Sequence, residues 1–382
     1  MKKIGILVNS IGYGGNERSA VNIANAMRRR YDVSIIVQEN CGNHYGFDGR
    51  IISLNRPCAN SVPGKMINSA RRIIRLKKVI RENQIETLFV ILPVTNPINY
   101  LRFSCKKIVT CRHCGDLMTN IDKYIRMTEK SDQIVCNSKQ QTDYLVQKAP
   151  HLGDKAKTIY NILDIPQIQS LCTEPLEPTI REFMADHRCV ISSGRLANQK
   201  GLNNLLKAFS ILAKDDDDLR LILIGEGKLR ERIEKLIDDL QLRDKVLLPG
   251  FQENPFRYIA RADVFVLSSF YEGFPNTLVE AMACGSPVVA CDCPSGPAEI
   301  LCANASAGRI TLGTGGILVS SFDEKASTWD PSDIREEHGV FAEALRLVLQ
   351  DGNLRQQLAK SALERVKDFS AEKISEAWDE IL

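Results

Sequence analysis

The chain has 382 residues, which at about 100–200 residues per domain implies two domains with room for substantial cores. Its 44% hydrophobic and 25% charged residues are those of a soluble globular fold and argue against disordered, collagenous and membrane-embedded classes. The 50 Lys and Arg against 47 Asp and Glu leave only +3, which speaks against a nucleic-acid partner.

Behind Lys2 and Lys3 the apolar run Ile4 to Val8 is too short for a signal-peptide core, and no stretch approaches the roughly 18 apolar residues of a membrane span. A cytoplasmic protein with reduced thiols is expected. Of the 12 cysteines, Cys111 and Cys114 form a C-x-x-C, but no second pair at zinc-like spacing accompanies it, and Cys291 and Cys293 stand too close together to supply one. These thiols read as core residues.

In chain order, β-type runs at 2–9, 32–37, 87–92, 107–111 and 133–137 alternate with helical patterns, the first of them Glu17 to Arg29 with apolar Ala20, Ile23, Ala24 and Met27. From 162 to 185 the pattern lapses among Pro166, Pro175 and Pro178, which places a linker there. A second series follows, with strands at 189–194, 219–225, 245–250, 263–269, 287–292 and 316–319 and helices at 201–213, 228–240 and 277–283. The expectation is α/β: two doubly wound Rossmann-like domains, 1–165 and 166–370, with ligands at the carboxyl ends of their strands.

Divided at residue 165, the charge separates. Residues 1–165 hold 26 Lys and Arg against 13 Asp and Glu, +13; the remainder hold 24 against 34, −10. Much of the positive charge sits on one helix, Lys65 to Glu82, where Arg71, Arg72, Arg75, Lys77, Lys78 and Arg81 accompany Ile67, Ile73, Ile74, Val79 and Ile80. Two readings stand: a solvated face of a helix packed on the sheet, or a basic face held against anionic lipid headgroups or an anionic acceptor.

Three loops carry the candidate chemistry. The first, Ser10 to Arg18, has Gly14 and Gly15 where backbone amides can approach a phosphate or sugar. It fails the dinucleotide fingerprint G-x-G-x-x-G, because Glu17 occupies the third glycine position and would repel a pyrophosphate; a tight turn with Glu17 on the helix dipole is the alternative. The second, Ser193 to Gly201, sets Arg195 and Lys200 between a strand end and a helix start, a metal-free diphosphate site unless both cations are merely solvated. The third, Ser269 to Gly285, runs through Glu272, Gly273, Phe274, Pro275, Asn276, Thr277 and Glu280. A short helix opening after Pro275 and closing at Gly285 would put one carboxylate before its N-terminus and one on its body, with the free amides of Asn276 and Thr277 between. That suits a nucleotide sugar, with hydroxyls at both ends and a diphosphate in the middle; two exposed surface glutamates are the alternative.

Nearly the whole chain now resembles the retaining glycosyltransferases of family 4, of the GT-B fold, which assemble bacterial glycans. The resemblance rests on GGNER (14–18), NSKQQTDYL (137–145), IYNILDI (159–165), SGRLANQKG (193–201), IGEG (224–227), LPGF (248–251), EGFPNTLVEAMACGSPVV (272–289) and GPAEIL (296–301). It implies two domains facing across a cleft, with the last helix, 371–382, crossing back onto the first. Arg195 and Lys200 would neutralise the donor diphosphate and, with Gly194, border it. Glu272 would contact the donor-sugar hydroxyls, with Gly273, Phe274, Asn276 and Thr277 beside it, and Glu280 the ribose. Phe251 would border the base, Gly14 and Gly15 would approach the diphosphate and sugar, and His113 would stand beside the transferred sugar. The implied donor is a UDP-sugar, transferred without metal or other cofactor to a glycan or polyprenyl-linked acceptor entering along the basic domain, at the inner face of the membrane. A DxD-type metal site in Asp215 to Asp218 is not expected, because the run joins a helix to the start of a strand. A GT-B nucleotide-sugar epimerase and a noncatalytic nucleotide-sugar-binding partner are the competing functions.

Overall fold

A computed structural model describes residues 1–382 except 13–14, 40–45, 55–61, 113 and 304–308, and except the side chains at 62–66 and 116. The chain divides into two compact units: Met1–Leu163 joined by Phe369–Leu382, and the continuous segment Asp164–Asp368.

The first unit holds seven parallel strands, β1 (Lys3–Val8), β2 (Asp32–Val37), β3 (Arg50–Ser53), β4 (Thr87–Ile91), β5 (Lys106–Cys111), β6 (Gln133–Cys136) and β7 (Ala156–Thr158), in the order β3-β2-β1-β4-β5-β6-β7. Register follows from β1, where Ile6 lies beside Ile35 on one side and Phe89 on the other. Both faces are covered, which is why the central strands read as nearly continuous apolar runs. Alternate residues feed two cores. Ile4, Ile6 and Val8 pack under helices Gly15–Met27 and Ala371–Asp379, whereas Leu7, Leu88 and Val90 pack under Val62–Glu82, Ile121–Glu129 and Lys139–Lys148. The segment that rejoins this unit carries Trp378, fully buried and edge-on to Phe89 with ring centroids 4.9 Å apart.

The second unit repeats the plan with β8 (Arg188–Ser193), β9 (Leu219–Ile224), β10 (Val246–Gly250), β11 (Val264–Leu267), β12 (Val288–Cys291), β13 (Ile310–Gly313) and β14 (Gly316–Val319), ordered β10-β9-β8-β11-β12-β14-β13. Among the described residues only β13 runs antiparallel, as a hairpin with β14. On one face of its sheet the helix Leu202–Ala213 with Phe209 and the helix Glu336–Gln350 with Phe341 pack on each other and on Val190, Leu221 and Val266 of the strands.

The structure corrects the linker at 162–185. Helices Ile165–Cys172 and Pro178–Met184 lie there, inside the second unit. Pro166 and Pro178 occupy the first turns of these helices, where the missing N–H costs nothing, and Asp164 caps the first by accepting from the Gln167 amide at 3.1 Å. The division falls at Leu163/Asp164, two residues before the boundary read from the sequence. Among the described residues no helix is long and apolar enough to cross a membrane.

Candidate active site

In the second unit β8 and β11 are hydrogen-bonded neighbours, yet the chain leaves β8 toward β9 on one side and β11 toward β12 on the other. Such a reversal of strand order parts the loops at the carboxyl edge and leaves an opening there. Lys200 comes from the loop after β8 and Glu272 from the loop after β11. Across the opening Lys200 Nζ donates to Glu272 Oε1 at 2.7 Å, and Ser269 Oγ donates to the same oxygen at 2.6 Å. Gln199 Nε2 donates to the Tyr271 carbonyl at 2.8 Å and reaches Glu272 Oε2 at 3.5 Å. The side chains of Lys200 and Glu272 are 18% and 9% exposed, so the charges meet at the lip of the opening, largely out of water.

Backbone contacts fix the geometry. Ser268 Oγ donates to the Lys200 carbonyl at 2.8 Å, and the Phe270 amide to the Gln199 carbonyl at 2.8 Å. Gly201, at φ +57°, lies where a Cβ would strike the Ser268 carbonyl. The loop after β9 is bound in the same way: the amides of Gly194 and Leu196 donate to Ile224 and Glu226 carbonyls at 2.9 Å each, and a Cβ on Gly225 would strike the Gly194 carbonyl. The IGEG signature is therefore a demand for backbone-on-backbone packing. Held between Gly194 and the buried Leu196, Arg195 is exposed, and its guanidinium has no hydrogen-bond or ion-pair partner among the described residues.

Glu272 and Glu280 are only 7% and 6% exposed, which removes the alternative of two surface glutamates. Glu280 lies on the helix Asn276–Ala283, whose N-cap is Pro275. Thr277 Oγ1, in its first turn, is buried without a hydrogen-bond partner among the described residues. Phe274 is buried, and Ser295 Oγ braces the neighbouring Gly273 carbonyl at 2.6 Å. Phe251, directly after β10, is 57% exposed, an unusual placement for a phenylalanine. Burial, reinforced by the Glu272 carboxylate, pushes the Cys293 thiol far up; burial does the same to Cys291. Both are inert core thiols.

Two family models match the chain. Residues 13–166 match the model described as Glycosyltransferase Family 4, and residues 177–326 the model described as Glycosyl transferases group 1. An uncharacterised glycosyltransferase of Methanocaldococcus jannaschii is 31% identical over 313 residues, covering 80% of this chain and 74% of that one. The chain belongs to the GT-B glycosyltransferases. A Campylobacter jejuni relative, named N-acetylgalactosamine-N,N'-diacetylbacillosaminyl-diphospho-undecaprenol 4-alpha-N-acetylgalactosaminyltransferase, is 27% identical over 98% of both chains. Among solved structures, Anabaena HepE in complex with UDP and glucose superposes at TM-score 0.75 with 18% identity, over 100% of this chain and 99% of that one.

In the first unit of this glycosyltransferase, Gly14 and His113 lie outside the described residues. Gly15 opens the helix Gly15–Met27, and beyond its chain neighbours and the helix's own backbone a Cβ there would meet nothing within 4 Å among the described residues. Burial raises the carboxyl of Glu17, opposed by a backbone hydrogen bond. Cys111 and Cys114 are both buried, Cys111 in register with Cys136 of the adjacent strand. Asp215 to Asp218 sit at the amino ends of β8 and β9, where Asp216 pairs with Arg188 at 2.6 Å and Asp217 with Lys245 at 2.9 Å. Ser268, Ser269, Gln199 and Ser295 were not singled out in the sequence. Their only signal was proximity along the chain: Gln199 adjoins Lys200, Ser268 and Ser269 precede Glu272 by four and three residues, and Ser295 immediately precedes the GPAEIL run at 296–301.

Proposed function

We propose that this glycosyltransferase moves a hexose or N-acetylhexosamine from a UDP-sugar to a hydroxyl of a lipid-linked or oligosaccharide acceptor, with retention of configuration, in cell-surface polysaccharide synthesis. The observation that carries the donor half is the Lys200–Glu272 pair at the strand-order reversal, with the unpartnered Arg195 beside it. A cation already matched by a carboxylate and one without a match together offer surplus positive charge where a diphosphate leaves. Charge that develops there in the transition state is stabilised by such fixed groups without reorganisation. In this reading no metal is required. Glu272 accepts from donor-sugar hydroxyls, Glu280 from the ribose, and Phe251 stacks on the base. Gly14, Gly15 and His113 take the sugar-side roles. The Campylobacter relative, named for an undecaprenol-diphosphate acceptor, supports the lipid-linked class, and the HepE complex supports UDP.

The acceptor side rests on the helix Val62–Glu82. Leu76, Val79 and Ile80 are buried on the sheet, whereas Ile67 and Ile74, seven residues apart on the opposite stripe, are 51% and 68% exposed among the exposed cations Arg71, Arg75 and Lys78. Two bare isoleucines among cations are costly in water and at home in a headgroup layer, so the enzyme docks by this helix at the inner face of the membrane.

A thermal-shift panel of UDP-, GDP- and ADP-sugars tests the donor, since a ligand of the native state raises its melting temperature. A shift with UDP-sugars is expected; none with any UDP-sugar, against a clear one with GDP-mannose, would refute the UDP assignment. Sedimentation with phosphatidylglycerol vesicles tests docking: binding should weaken with salt and with I67E/I74E, and indifference to anionic lipid would return the helix to a solvated face.

A further inference from the structure

Three cationic side chains of the described residues are buried to below a tenth of their surface, and two of them have evident compensation. Lys207 lies 3.7 Å from Asp333, and Lys107 donates to the Asn99 and Leu101 carbonyls at 2.6 and 2.7 Å, with Asp132 nearby. Arg112 is different. It follows the last residue of β5, at the carboxyl edge of the first sheet, and is 8% exposed. Among the described residues only its Nη2 is engaged, donating to Ser19 Oγ on the helix Gly15–Met27 and to Asn161 Oδ1 beyond β7. Both acceptors are neutral and themselves buried, and among the described residues no carboxylate touches the guanidinium. Burial lowers its pKa to about 10, with no nearby acid to offset the shift, yet at neutral pH it keeps its proton.

A buried charge without a counter-charge is among the most expensive features a fold can carry. Here the surroundings hold it in place. Asn22 Nδ2 donates to the Ile162 carbonyl at 2.9 Å, tying the same helix to the segment that carries Asn161. Ser19, directly after the signature at 14–18, and Asn161, within the one at 159–165, thus meet on one arginine at the edge where an α/β sheet takes its ligands.

We propose that Arg112 is an oxyanion-binding residue, its missing counter-charge supplied by a phosphoryl group of a substrate. The group belongs either to the leaving diphosphate of the donor or to the diphosphate of a lipid-linked acceptor. This rests on the glycosyl-transfer reading above. The planar fork suits the role, because guanidinium and phosphate oxygens match two by two.

The test compares the full chain with R112Q, which keeps an amide donor for Asn161 but removes the charge. Wild type is titrated first with UDP, then, saturated with UDP, with inorganic pyrophosphate, both read as thermal shifts. No response of wild type to UDP would defeat the UDP reading without touching Arg112, because pyrophosphate added to the free chain still probes it. If the diphosphate is the donor's, R112Q raises the half-saturating UDP concentration at least tenfold. If it is the acceptor's, R112Q leaves UDP unchanged but loses the additional pyrophosphate shift. In either case ligand-free R112Q melts no lower than wild type, since the charge it loses has no counter-charge there. R112Q that melts lower while binding UDP and pyrophosphate like wild type would overturn the proposal and make Arg112 a strut. Should R112Q not fold, R112K serves: it keeps the charge without the fork, and weaker anion binding is again the supporting result, wild-type binding the overturning one.

Discussion

Removing the ammonium of Lys200 leaves the Glu272 carboxylate, 9% exposed, with only the Ser269 hydroxyl at 2.6 Å and the distant Gln199 amide at 3.5 Å. Breaking a buried pair by deleting one partner costs about 3–5 kcal/mol. The surviving hydroxyl bond and the residual water at the lip reduce this to about 2–3 kcal/mol for K200M. E272Q is milder, about 1–2 kcal/mol, because the more exposed Lys200 keeps a neutral acceptor and some solvent. The double variant K200M/E272Q carries neither charge, so its loss should fall short of the sum by at least about 1 kcal/mol, a coupling expected of residues in direct contact. The chain offers a convenient readout. Of its 2 tryptophans, Trp329 lies in the second unit, with the Arg232 guanidinium 4.7 Å from its ring, and Trp378 in the first. Urea unfolding followed by Trp329 fluorescence in a W378F background therefore reports the unit that carries the site. Additive losses, or an unchanged midpoint for K200M, would refute a pre-formed ion pair. Either single variant should also lose sugar transfer by about 100-fold or more, the scale of removing one pre-organised electrostatic group.

Arg195 is exposed and unpartnered, so R195A should change stability by no more than about 0.5 kcal/mol while weakening UDP binding at least tenfold by titration calorimetry. G201A must place a Cβ in the left-handed region and against the Ser268 carbonyl; a loss of about 2–4 kcal/mol is expected, with reduced kcat/KM as Lys200 shifts. His338 is 3% exposed, its Nδ1 accepts from the Arg335 amide at 2.8 Å, and burial lowers its pKa to about 4. Because the folded value lies below the unfolded one, its contribution is present above pH 6.5 and lost as pH falls toward 4. Between pH 7 and 5 the loss should be about 2 kcal/mol, and H338Q should flatten that dependence in urea titrations at the two pH values.

The central strands were readable because burial on both faces leaves little but Ile, Val and Leu, as in β2, whose limits 32–37 match the sequence reading. Of the four edge strands, β10 was read at 245–250 against the observed Val246–Gly250, and the other three were not. β3 is four residues with exposed Arg50 and Ile51, β7 is three, and β13 is half exposed and exists only through its hairpin with β14. Pro166 and Pro178 were misread because a proline that opens a helix and one that breaks it look alike without the helix that follows. At the site, residue types and strand-end positions were legible for Arg195, Lys200, Glu272 and Glu280. That Lys200 and Glu272 neutralise each other was not: they are 72 residues apart, and their contact is set by which strands adjoin. Arg112 was hidden for the same reason, since a cation in sequence carries no mark of the acid it lacks.

The first unit is assembled from the two outer segments of the chain, whereas the second is a single stretch enclosed between them. Synthesis therefore delivers everything the second unit needs before it delivers Trp378, Ile374 and Ile381, which close one face of the first. Until those side chains arrive, Phe89 and its neighbours on that face stay open to water, and the growing protein is a finished second unit tethered to an incomplete first. A nascent chain halted before Phe369 should accordingly need chaperone protection for its first unit alone, so that the order of translation decides which half can respond to ligand first.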